Sequence, residues 1–497
     1  MNQKHVVVIG SGFAGLSSAT HLAEQSCKVT LLEKNETPGG RARKFEYQGF
    51  VFDMGPSWYW MPDVFEDYFA HFGKKVSDYY DLIRLDPSYA VIYGENDQLD
   101  IPADLEEFKK MLEEIETGAG GQLDKFLEQA KYKYQVGIHD LVKKPSRSLM
   151  EFASPGLLLD VIKMDVFQSM SKHVRKFFKS EKIIRLMEFP VLFLGETAEN
   201  IPALYSLMNY ADIALGTWYP KKGMHEIIRG MVELAEDKGV SIRYNAEVEE
   251  IEIENGVAKR VRLLSGEKIE ADVIVAGADY HHVDKHLVNP QYSNYSEEYW
   301  DKRVLAPSSL LFYLGIDKKL QNLRHHNLFF DEDLGPHADA IYRNPEWPEK
   351  PLFYASVPSQ TDPTVAPEGM ENMFLLIPLA PDLEDSEEMR EKYFHIIMDR
   401  LEKITGQEIR SHIVFKRSYA HADFKKDYHA YKGNAYGLAN TLTQTAILKP
   451  SLKNKKVNNL YYTGQLTVPG PGVPPSLISG YVVAKEVIKD HNLSQKM

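Results

Sequence analysis

The chain has 497 residues, 43% of them hydrophobic, and a formal net charge of −13. Such a length exceeds what one hydrophobic core supports, so two or three domains are expected, and the acidic balance argues against a nucleic-acid partner, which requires a basic face. Cys27 is the only cysteine, which excludes an intrachain disulfide and suits a reducing compartment.

Met1 to Lys4 lead directly into an apolar strand, so no targeting segment is expected. No apolar run approaches the roughly 18 residues of a membrane-spanning helix. The strand His5-Val6-Val7-Val8-Ile9 enters Gly10-Ser11-Gly12-Phe13-Ala14-Gly15. An amphipathic helix over 16–25, a strand over 28–32 and Glu33 follow. This is the pattern of a dinucleotide site. Gly10 permits the tight turn, Gly12 the approach of a pyrophosphate, Gly15 close helix-sheet packing, and Glu33 accepts from a ribose hydroxyl. Downstream, Pro38-Gly39-Gly40-Arg41-Ala42-Arg43 is an element that nicotinamide sites do not need. Its paired glycines allow unusual backbone, and its two arginines can aim at a phosphate and a neighbouring acceptor.

Residues 105–116 read as a helix, broken by Gly118-Ala119-Gly120-Gly121 before a second over 123–134, and helical patterning continues to about Met231. Within it, 141–180 holds eight cations (Lys143, Lys144, Arg147, Lys163, Lys172, Arg175, Lys176, Lys179) against Glu151, Asp160 and Asp165, interleaved with apolar side chains. Such a segment can lie in a lipid interface or turn its apolar face to a core. Strands return at 241–244, 247–253, 257–264 and 271–276, and a long helix is expected over 387–404. Near the end, the strand around Leu460-Tyr461-Tyr462 meets Gly464, then Gly470-Pro471-Gly472-Val473-Pro474-Pro475 and a helix. Unpaired N–H groups at that helix start would face the pyrimidine edge of a flavin. Together the three elements predict FAD.

At these motifs, and at Phe52-Asp53-Met54-Gly55-Pro56, the chain resembles the carotenoid desaturases of the phytoene desaturase family. The interior agrees at Gly216-Thr217-Trp218-Tyr219-Pro220, Leu323-Arg324-His325-His326-Asn327, residues 361–369 and Leu442-Thr443-Gln444-Thr445. Two departures are Lys221-Lys222-Gly223, where the family usually has paired glycines, and Lys449-Pro450 in place of Arg-Pro.

The resemblance implies an α/β fold with α+β insertions. A Rossmann-like FAD domain would be assembled from 1–75, 222–290 and 455–497, a mixed-sheet substrate domain from 76–104 and 291–454, and a helical, membrane-associated subdomain from 105–221. The expected cofactor residues are Gly10, Gly12, Phe13, Ala14, Gly15, Glu33, Lys34, Gly40, Arg41, Gly55, Pro56, Ser57, Val248, Gly464, Gly472, Val473 and Pro474. The implied reaction is desaturation of a linear carotenoid, phytoene towards lycopene, by hydride loss from an allylic carbon to the flavin and proton loss from its neighbour.

A quinone or oxygen would reoxidise the flavin. A water-insoluble substrate implies a cytoplasmic protein held peripherally on the membrane. Trp58, Tyr59, Trp60, Trp218 and Tyr219 are candidates for the substrate channel, and Glu188, Glu196 and Glu199 for the proton acceptor, because they sit in an apolar stretch that could raise a carboxylate pKa. Adjacent His325 and His326 lack further metal-ligand spacing, and no metal is expected. Another carotenoid desaturase, oxygenase or saturase, a flavin amine oxidase, and a non-catalytic lipid carrier are the alternative readings.

Overall fold

The computed structural model describes residues 3–152, 165, 166 and 168–493. Lys163, Asp160, Phe167 and the apolar residues of 157–164 therefore lie outside the described residues.

A five-stranded sheet organises the cofactor side, in the order 460–462, 273–276, 5–9, 28–32, 241–243, with every pair parallel. Its central strand, His5–Ile9, is buried on both faces, as a parallel strand covered from both sides must be. Val6 and Val8 pack with the first helix, Phe13–Glu24, whereas Val7 and Ile9 face Ala258 and Val261 of an antiparallel three-stranded sheet over 248–270. The C-terminal helix, Val473–Asp490, lies against the first helix so closely that a Cβ on Gly480 would sit 2.4 Å from the Ala14 carbonyl oxygen. Ser17 Oγ donates to the Leu477 carbonyl at 2.8 Å across the same seam.

The second large sheet has seven strands in the order 413–419, 308–316, 371–379, 353–356, 326–329, 89–94, 97–101. All its pairings are antiparallel except that of 326–329 with 89–94. Strand Ser308–Ile316 is buried along its whole length, and the helix Glu387–Thr405 covers one face. The molecule is thus a mixed α/β protein.

The helical region departs from expectation in three places. The break before the second helix falls at Glu116–Gly118, and Ala119, Gly120 and Gly121 belong to the first turn of the helix Ala119–Tyr134. The Glu113 carboxylate accepts from the Gly118 and Gly120 amides and satisfies donors that the glycines leave without side-chain caps. Residues 170–215 contain only short helical pieces, and Trp218–Pro220 forms a strand paired with Leu82–Arg84.

The basic segment also carries more pairing than its amphipathic pattern suggests. Arg147 reaches Glu486 at 2.5 Å and Asp490 at 3.0 Å on the C-terminal helix, and Arg175 reaches Glu181 and Glu188. Lys172, Lys176 and Lys179 are exposed. Among the described residues no helix is long and apolar enough to cross a membrane.

Candidate active site

The first loop is held by its own side chains. Gly10 takes φ +93° and donates to the Leu32 carbonyl at 2.7 Å. A Cβ on Gly15 would lie 1.9 Å from the Gly10 carbonyl oxygen, so the helix can seat here only with glycine. Gly12 is different: its φ is −73°, and an added Cβ would meet nothing within 4 Å, because that side opens into a cavity. Glu33 is 3% exposed and accepts from the Ser11 amide (2.9 Å) and Ser11 Oγ (2.6 Å) through one oxygen, and from the Asn35 amide and Nδ2 (2.9 Å each) through the other. Besides bordering the cavity, it therefore fastens the glycine loop.

The Gly39-Gly40 turn docks on that loop. Gly39, at φ +113°, donates to the Ser11 carbonyl at 3.0 Å. A Cβ on Gly40 would come within 3.4 Å of Gly12 Cα, and one on Gly55 within 2.3 Å of the Arg41 carbonyl oxygen. Arg41 borders the cavity, donates through Nη2 to the Asn434 carbonyl at 3.3 Å, and keeps a buried Nε–H with no partner among the described residues. Burial lowers its pKa, opposed by the charge of Asp279. Arg43 does not share the work expected of it. It leaves the cavity, pairs with Asp427 at 2.6 Å and lies over the Tyr428 ring.

The C-terminal helix brings Gly472, Val473 and Pro474 to the same cavity, beside Gly464 at φ +109°. Pro474 and Pro475 have no N–H, so of the first three helical residues only Val473 offers a donor, fewer than the expected array. Lys34 and Val248 border the far end, where Lys34 Nζ also donates to the Lys426 carbonyl at 3.0 Å and lies 3.6 Å from Glu247. Of the expected cofactor residues, all but Gly15 line this one cavity.

The cavity, about 480 Å³, continues past Pro56 and Ser57 into a chamber walled by Trp58, Trp60, Phe189, Leu192, Met208, Leu311, Leu328, Phe330, Ile341, Phe374 and Leu376. Among its ionisable neighbours, His337 is held to a pKa of about 4 by burial, and so is neutral at pH 7, and burial pushes the hydroxyl pKa values of Tyr342, Tyr354 and Tyr436 up. Trp60 is positioned from behind. Its Nε1 donates to Thr217 Oγ1 at 2.8 Å, and Thr217 Oγ1 and the Tyr89 hydroxyl donate to Asp212 at 3.0 and 2.7 Å. Burial raises the Asp212 pKa to about 6. Tyr59 packs fully buried on Phe65 instead of facing the chamber, and Trp218 and Tyr219 also lie off its wall.

None of the three candidate acceptors borders the chamber. Glu188 pairs with Arg175 at 3.2 Å, Glu196 accepts from the Thr197 amide, and Glu199 is exposed. The ring nitrogens of His325 and His326 that have partners meet Thr361 Oγ1 at 2.9 Å and the Tyr354 hydroxyl at 2.6 Å. Lys222 adopts φ +77°, a conformation that suits the glycine usual in the family, and its amide donates to Asp362 at 2.6 Å. Lys449 lies 4% exposed behind Gly470, its Nζ without a partner among the described residues, and burial pushes its pKa down to about 7.

The open face of Gly12, the close approach of Gly40 to it, and the spare donor of Arg41 fit a dinucleotide pyrophosphate, and Gly472 and Val473 of the same cavity would hold a further part of FAD. A family model described as flavin containing amine oxidoreductase matches residues 13–488. The chain is 40% identical over 491 residues to the carotenoid 3,4-desaturase of Haloarcula japonica, covering 99% of each. It is 31% identical to a zeta-carotene-forming phytoene desaturase of Myxococcus xanthus, over 98% of this chain and 94% of that one. An oxidoreductase from Methanosarcina mazei shares the fold, with a TM-score of 0.65 at 17% identity, covering 97% of this chain and 100% of that one. The chain therefore belongs to the carotenoid desaturase family within the flavin-containing amine oxidoreductases, and it is an FAD-dependent oxidoreductase.

Proposed function

We propose that the protein desaturates a linear carotenoid, with phytoene towards lycopene as the first reading. The observation that carries it is the continuity of the cofactor crevice with a chamber whose wall is mainly apolar and whose His337 is neutral at pH 7. A polyene offers no charged handle, so such a wall binds it through apolar contact and excludes water from the reacting carbons. FAD, when bound, supplies the two-electron acceptor for a hydride from an allylic C–H. The protein's share is orientation, with Trp58 and Trp60 fixing the chamber wall beside the Gly55-Pro56-Ser57 turn.

The name of the Haloarcula japonica relative favours a second reading, 3,4-desaturation near the end of an already conjugated carotenoid. Expression in two bacterial hosts, one accumulating phytoene and one lycopene, with pigment separation by chromatography, tests both. New chromophores in the phytoene host support the first reading, and red-shifted products only in the lycopene host support the second. Unchanged pigments in both refute carotenoid desaturation.

Peripheral attachment to the cytoplasmic membrane belongs to the same proposal, supported by exposed Lys172, Lys176 and Lys179 and by Met150, 81% exposed. Reversing the three lysines to Glu should weaken pelleting with anionic liposomes, and unaltered pelleting refutes their role. A quinone or oxygen is the proposed final acceptor, distinguished by oxygen consumption during turnover.

A further inference from the structure

Desaturation needs a place for a proton, and the carboxylates near residue 190 do not reach the chamber. The wall itself contains a polar chain. Ser57 and Tyr354 both border the chamber, and the Tyr354 hydroxyl donates to Ser57 Oγ at 3.1 Å. The Tyr354 hydroxyl also meets Nδ1 of His326 at 2.6 Å. His326 is 0% exposed, and its Nε2 has no hydrogen-bond partner among the described residues. An orphaned buried nitrogen costs stability, and packing alone would be served by an apolar ring. The imidazole lies flat on Trp58, with ring centroids 4.1 Å apart and planes within 12°.

We propose that Ser57, Tyr354 and His326 form the relay that accepts the proton released in desaturation, with Ser57 Oγ touching the substrate and His326 Nδ1 as the terminal acceptor. The inference rests on the carotenoid-desaturase reading above. After hydride departure, the C–H bond on the adjacent carbon breaks and its electron pair becomes the new π bond. The Tyr354 hydroxyl turns its proton from Ser57 Oγ to Nδ1, the substrate proton bonds to Ser57 Oγ, the serine proton passes to the Tyr354 oxygen, and the tyrosine proton passes to Nδ1. Both hydroxyls end neutral and His326 carries the charge. The proton returns along the same hydroxyls to water when product leaves.

The surroundings suit a transient acceptor. Burial and the neighbouring His325 hold the His326 pKa well below the ordinary histidine range, so the ring is neutral before each turnover. An allylic cation is a far stronger acid than any imidazolium, so even a weakened base takes the proton downhill. The groups facing the ring are His325, Tyr354 and Trp58, and His325 is engaged by Thr361 Oγ1. The stacked indole stabilises the imidazolium through its π face.

Tyr354→Phe keeps the ring and cuts the chain, and Ser57→Ala removes its chamber end. Both are compared with wild type in liposomes carrying phytoene or lycopene. The expected result is a loss of kcat of about 10²-fold per bound flavin, the usual share of a general base, with KM unchanged, and FAD content and thermal midpoint are measured alongside to separate any loss of cofactor at Ser57 or of stability at His326 from the relay. The substrate C–H does not exchange with solvent but the relay protons do, so wild type should show a solvent deuterium isotope effect that Tyr354→Phe abolishes. In the resting protein labelled with ¹⁵N-histidine, Tyr354→Phe should shift the resonance that His326→Asn deletes. Wild-type turnover with kcat within twofold in Tyr354→Phe, or the same isotope effect in both, overturns the relay and leaves the desaturase reading intact. A wild type that converts neither carotenoid overturns both.

Discussion

The sharpest separation of cofactor binding from folding lies in two glycines three residues apart. Gly15→Ala places a methyl 1.9 Å from the Gly10 carbonyl oxygen, a backbone atom that can move only by displacing the first strand or the first helix. Overpacking of this kind costs about 1–3 kcal/mol. Gly12→Ala meets no atom within 4 Å and needs no change of φ from −73°, so the protein without cofactor should change by less than about 0.5 kcal/mol. The same methyl points where a pyrophosphate must approach, and a loss of about 1.4 kcal/mol there is a tenfold weaker Kd. Thermal unfolding of deflavinated protein and titration with FAD by fluorescence quenching read the two effects separately. The expected pattern is crossed: G15A melts several degrees early, whereas G12A melts like wild type and binds FAD at least about tenfold more weakly. Wild-type FAD affinity in G12A, or a wild-type melting point in deflavinated G15A, would refute the assignment of the two faces.

Three further outcomes follow from the electrostatics. Arg41→Gln should lower FAD affinity with little change in the deflavinated protein, and Arg43→Gln should cost about 1.5–3 kcal/mol of stability through the lost Asp427 pair while FAD affinity holds, as equilibrium unfolding and FAD titration would show. Folded Asp212 titrates near 6 against an ordinary 3.8, so between those values the folded state binds more protons than the unfolded chain. Stability attributable to Asp212 is therefore present below pH 4 and falls by up to about 3 kcal/mol as pH rises to 6, and D212N should flatten that slope in denaturant titrations across pH. Lys449 runs the other way. With a folded pKa near 7 against 10.5, the unfolded chain binds more protons between them, stability rises with pH over that window, and K449M should abolish the rise.

Legibility in the sequence followed the range of the interactions. Gly10, Gly12, Gly15 and Glu33 act within one strand-turn-helix unit, so spacing alone exposed them. Ser11 sits in the same loop, yet its grip on Glu33 was missed because a loop serine can bond in many directions. Arg43 looked like the twin of Arg41, and its partner Asp427 lies 384 residues away, where no local pattern announces it. The apolar stretch around Glu188 suggested a buried carboxylate facing substrate, but hydrophobic neighbours do not say which side of a short irregular helix faces the chamber. The relay drew only a metal question from its paired histidines, since Tyr354 and Ser57 join His326 through strand pairing and a turn far apart in the chain.

The seam between the first and last helices sets a clock on biosynthesis. Ser17 and Leu477 are separated by 460 residues, which a ribosome takes roughly 25–90 s to add. Throughout that interval the nascent glycine loop lacks the surface that completes its binding crevice, and the apolar face of the first helix lacks its cover. Flavin capture must then be a late event, and overexpression that outruns the cell's chaperones or its riboflavin supply should fill inclusion bodies before it yields yellow protein.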